Sequence, residues 1–96
     1  MTYAFFYDVP GDEELYQRVK AALGDDPPKG QVAHLVVKVE GGLRHVNVWE
    51  SEADWARYRD ERVGPAVGKV LAAAGIAERP PRPVEQRLDV VDVWTA

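Results

Sequence analysis

Two histidines, His34 and His45, are the side chains of this 96-residue chain whose ordinary pKa lies near neutrality, and either can act as a general base at physiological pH. Close by in sequence stand Asn47 and Trp49, whose amide and indole N–H groups can donate to an oxyanion or a phenolic oxygen. Val36 adds apolar bulk to the same row. Together these types suit one kind of chemistry: removing a proton from a weak oxygen or carbon acid and holding the resulting anion. The chain has no cysteine, which removes thiolate nucleophiles, disulfides and Cys-based zinc or iron–sulfur sites. No glycine pattern follows a strand and opens a helix in the manner of nucleotide-binding loops.

The elements that must position these residues are two strands. Gln31–Glu40 and Leu43–Glu50 flank Gly41-Gly42, a pair suited to a tight hairpin turn. With Gly41-Gly42 as the loop, Glu40 faces Leu43, and the pairing predicts His34 opposite Trp49, Val36 opposite Asn47 and Lys38 opposite His45. Asn47 is then a diagonal neighbour of His34, about 7–8 Å away, a gap that a substrate can bridge. In that register His34 and His45 lie four residues, or about 13 Å, apart along the ladder. No shared metal site is expected at such a distance. The opposite row carries Leu35, Val37 and Val39 against Val48, Val46 and Arg44. Its hydrocarbon content predicts that this row packs under helices, while the row bearing His34, Val36, His45, Asn47 and Trp49 faces a partner subunit.

The rest of the chain supplies the frame. Met1–Val9 reads as a strand closed by Pro10-Gly11, with Tyr3 and Tyr7 assigned to the helix side. Asp12 is placed to cap a helix whose Leu15, Val19, Ala22 and Leu23 form an apolar stripe before Gly24. Asp25–Gly30, with Pro27-Pro28, reads as a loop. Ser51 and Asp54 form a capping-box variant ahead of Trp55 and Tyr58, both expected in the core. A break is predicted near Gly64-Pro65, followed by a new helix with Val67, Val70, Leu71 and Ala74 ending at Gly75. Arg79–Pro83 reads as a connector and Val84–Thr95 as a last strand. Strand, helix, strand, strand, helix, strand predicts one α+β domain over residues 1–96. Its expected form is a ferredoxin-like four-stranded antiparallel sheet with both helices on one face and a second copy of the chain on the other.

Twelve basic against sixteen acidic residues, with a net charge of -4, disfavour a nucleic-acid partner. The helix charges Arg57, Arg59, Arg62 and Lys69 interleave with Asp54, Asp60 and Glu61 and read as a solvated face. No apolar run suits a signal stretch or a bilayer span, so no membrane partner and a cytoplasmic location are expected.

The stretches PPKGQVAHL, EGGLRHVNVWESEADWARYRDERVGPAV and RLDVVDVW resemble small actinobacterial proteins of the dimeric α+β barrel superfamily, the group with antibiotic biosynthesis monooxygenase-like domains. The resemblance covers nearly the whole chain. It implies a homodimer whose sheets face each other, a small-molecule cavity, and an aromatic or polyketide-like ligand. Where related sequences often carry a His near the end of the last strand, this chain has Val91 beside Asp92, so the resemblance transfers no catalytic His to that position; His34 is the candidate base because Trp49 opposes it and Asn47 is its diagonal neighbour. On this reading His34 deprotonates a phenol or enol, Asn47 and Trp49 orient the anion with Val36 and His45 lining the site, and oxygen reacts without a cofactor. The alternative is a non-catalytic homodimer that binds a ligand or serves a structural role.

Overall fold

Three large aromatic side chains, Phe5, Trp49 and Trp55, converge in the core, and their placement determines which face of the sheet is buried. The computed structural model describes residues 2–76 and 82–94. Its elements are β1 (Tyr3–Pro10), α1 (Glu13–Leu23), β2 (Gln31–Val39), β3 (Gly42–Trp49), α2 (Glu52–Tyr58), a π-helical turn (Arg59–Val63), α3 (Gly64–Ala73) and β4 (Gln86–Leu88). The sheet order is β2-β3-β1-β4 with every neighbouring pair antiparallel. This α+β arrangement is compatible with a ferredoxin-like fold.

The helix starts follow the sequence. Asp12 accepts from the Leu15 N–H at 3.0 Å, and Glu13 and Glu14 complement the positive end of α1. Ser51 Oγ accepts from the Asp54 N–H at 3.1 Å and donates to the Asp54 carboxylate at 3.0 Å, starting α2. Gly24, with φ of 83°, closes α1.

The hairpin register differs from expectation by two residues. The turn is Glu40-Gly41, with φ of 80° at Gly41, and Gly42 belongs to β3 opposite Val39. Gly42 is also paired with Pro10 across β1, where a Cβ would collide with the Val9 carbonyl oxygen. One glycine therefore makes the turn and the other permits close backbone approach. His34 consequently faces Asn47, Val36 faces His45 and Lys38 faces Leu43. A two-residue shift keeps every side chain on its face and changes its partner. An irregularity between Gln31 and Ala33 adds a bulge just before His34.

The assignment of faces is reversed. β1 places Tyr3 beside Trp49, Phe5 beside Asn47 and Tyr7 beside His45, so the chemically mixed row shares a face with the aromatic row of β1, as expected for Tyr3 and Tyr7. This is the face the helices cover: Trp55 of α2 packs on Phe5 and Trp49, with ring centroids 4.9 and 5.5 Å away, and Tyr16 of α1 meets His45 edge-on at 5.4 Å. Burying large rings removes more surface from water than burying the Leu35 row would. The row of Leu35, Val37, Val46 and Val48, with Ala4 and Phe6, lies on the opposite face, where Leu35 is 58% exposed.

Two further expectations are corrected. The last strand is confined to Gln86–Leu88 opposite Ala4–Phe6, residues 89–94 are not in the sheet, and Thr95 and most of the Arg79–Pro83 connector lie outside the described residues. The helix does not stop and restart at Pro65. The π-turn carries it through, with the Gly64 N–H donating to the Arg59 carbonyl five residues back. Widening the turn moves the carbonyl that the Pro65 ring would strike, which lets proline sit at the start of α3.

Candidate functional site

The corrected register brings His34 and His45 together. They are diagonal neighbours across β2 and β3, with His34 Nε2 3.3 Å from His45 Nδ1 and the rings inclined by 22°. One ring N–H donates to the other ring's lone pair. Tyr7 of β1 stacks on His45 at 5.0 Å, and Tyr16 of α1 closes the other side. Burial pushes the His45 imidazole down to about 4, with His34 adding to the effect. His34 remains exposed, but enough protein surrounds its ring for desolvation, and secondarily the Lys20 charge, to lower its pKa as well. Both imidazoles are therefore neutral at pH 7, the form in which a lone pair can accept a proton.

Asn47 and Trp49 form the second half of the site. The Trp49 indole N–H donates to Asn47 Oδ1 at 3.4 Å, and Asn47 is only 3% exposed. The amide nitrogen, Nδ2, is buried with no hydrogen-bond partner among the described residues. A buried donor left unpaired costs about 1–3 kcal/mol, so this N–H₂ group is primed for an acceptor oxygen. Trp49 itself is fully buried between Trp55 and Tyr58 and is chiefly a packing residue. Val36 is half-buried opposite His45.

Tyr16 and Glu85 escape the sequence reading. Tyr16 lies outside the apolar stripe of α1 yet covers His45. Glu85, just before β4, accepts from the Tyr3 hydroxyl and the Trp55 indole N–H, each at 3.1 Å. Burial and the Glu85 charge raise the Tyr3 pKa, and burial pushes the Tyr7 phenol well above its ordinary value. Nothing in the local sequence announces Glu85, because its partners stand 82 and 30 residues away. Tyr7 and Tyr3 could be placed on this side from strand alternation alone.

All five predicted residues lie on the helix-covered face, in two contacting pairs with Val36 beside the first. An open concavity of about 420 Å³ lies elsewhere, between the start of α1 (Gly11–Glu14) and Lys38, Val39, Gly42 and Leu43, and none of the five lines it. Among the described residues no group of three or more His, Cys, Asp or Glu side chains is placed to hold a metal ion, and no helix is long and apolar enough to cross a membrane. Compared with protein-family models and with curated proteins, the chain finds no match.

Proposed function

We propose that the chain binds a small, planar, oxygen-bearing aromatic molecule between α1 and the β2–β3 part of the sheet, in the manner of the monooxygenase-like proteins it resembles. The observation that carries this reading is the amide nitrogen of Asn47, which has no partner among the described residues and is buried beside neutral imidazoles and aromatic rings. A phenol or enol oxygen entering there would accept from Asn47 Nδ2, and the exposed His34 imidazole would take its proton. Tyr7 and Tyr16 present ring surface to a flat ligand. No residue of α1 is fully buried, so α1 can yield at small cost to admit it. The deprotonated ring would itself supply the electrons to dioxygen, and a bound cofactor plays no part.

A second reading is favoured by the absence of the five residues from the concavity and by the open apolar face: a non-catalytic homodimer closed through Leu35, Val37 and Leu88. Two measurements separate the readings. Titration with a tricyclic phenol should red-shift the ligand's absorption as it ionises, and Asn47→Leu or His34→Gln should abolish the shift. No spectral change in the natural chain, together with a dimer that Leu35→Glu splits in sedimentation, would establish the second reading instead.

A further inference from the structure

We propose that His34 and His45 form a two-imidazole site for a divalent transition-metal ion of the zinc, copper or nickel class. The separation of the two nitrogens is the first argument. Two imidazole nitrogens each 2.0–2.1 Å from a tetrahedral ion stand about 3.3–3.4 Å apart. His34 Nε2 and His45 Nδ1 are already 3.3 Å apart, which is long for a hydrogen bond and right for a shared ion. Cross-strand pairing sets this spacing, and Tyr7 and Tyr16 pack on His45 from two sides; the ion would sit to one side of the line between the nitrogens, with both rings turned so that their lone pairs converge on it.

The second argument is chemical: at pH 8 an imidazole, whose ordinary pKa is about 6.5, is uncharged, as a metal ligand must be. The hydrogen now shared between the two facing nitrogens moves to the far nitrogen of its own ring, His34 Nδ1 or His45 Nε2, so the ion enters without net loss of a proton. Lys20 of α1 is a positive charge acting on His34, and its repulsion weakens cation binding there. No third His, Cys, Asp or Glu side chain joins the pair among the described residues, which leaves positions for water or an oxygen-bearing ligand. Imidazole donors and open positions favour zinc, copper and nickel over magnesium or calcium.

The test is calorimetric titration of the full chain with zinc chloride alone at pH 8, in two buffers of different ionisation enthalpy. We expect one ion per chain, a binding enthalpy equal in the two buffers because no proton is released, and at least tenfold weaker binding in His34→Gln. His34 is exposed, so this variant keeps its fold, and its unfolding midpoint without metal provides the check. Excess zinc should raise the melting temperature of the natural chain by several degrees and leave that of His34→Gln unmoved. Absence of saturable binding, or unchanged affinity in His34→Gln, would overturn the site. The phenol titration performed in the presence of a chelator reports on the aromatic-ligand reading separately, since that reading requires no ion.

Discussion

The helix-covered face of the sheet contains two neighbourhoods built from the same kinds of side chain and held with different firmness. Under α2, Phe5, Trp49 and Trp55 bury their rings against one another, and Glu85 fixes the Trp55 indole and the Tyr3 hydroxyl. Under α1, the rings of His34, His45, Tyr7 and Tyr16 touch, but no residue of α1 is fully buried and His34 stays exposed. The first arrangement satisfies its polar groups and excludes water. The second leaves the neutral His34 imidazole accessible and, at the boundary between the two, an amide donor with no partner among the described residues. Burial and satisfied hydrogen bonds are concentrated on one side, and the cover over the titratable rings on the other is looser.

Three measurements test that division. Trp55→Ala should cost about 3–5 kcal/mol by urea unfolding, since it opens a large cavity and strips Glu85 of a donor; a cost near that of a surface substitution would erase the contrast. The next effect is on pH. The folded chain resists protonating His45 until about pH 4, whereas the unfolded chain takes that proton near 6.5. Stability conferred by the neutral ring is therefore complete above about pH 6.5 and is lost as pH falls toward 4, by on the order of 2 kcal/mol once partial solvent screening is allowed for. The curve of unfolding free energy against pH should flatten over that window in His45→Gln. Smallest of the three, Tyr16→Ala should cost about 1 kcal/mol and accelerate amide hydrogen exchange in α1 while leaving α2 protected. Equal acceleration in both helices would mean that they form a single cooperative unit.

The architecture was legible wherever a local rule governs it. Asp12 and Ser51 mark helix starts through hydrogen bonds made three residues away, and the spacing of Trp55 and Tyr58 marks a buried stripe. The hairpin was legible too, but its register was not. Alternation of period two reports a side chain's face and is blind to a shift of two residues, and it was the close approach of Val9 to Gly42 that settled the turn. That shift turns a distant pair of histidines into a contact, so the part of the site richest in chemistry depended on a third strand. Which face the helices cover was hidden for a related reason: hydrocarbon content favoured the Leu35 row, whereas registry with β1 gathers the larger aromatic area opposite it.

The π-turn at Arg59–Val63 is a one-residue insertion accommodated inside a helix. Trp55 and Ala66 are eleven residues apart, and in an unbroken α-helix they would point the same way after three turns. The added residue rotates the downstream helix by about 100°, so Trp55 addresses the sheet while α3 turns toward α1. Segment 59–63 thus acts as an azimuthal coupling between the two halves of the helix, and it sends Arg62 across to the Leu23 carbonyl at the end of α1. Without the added residue the helix would be more regular and α3 would present a different side to α1. The length of a single turn thus sets the azimuth of α3 against α1.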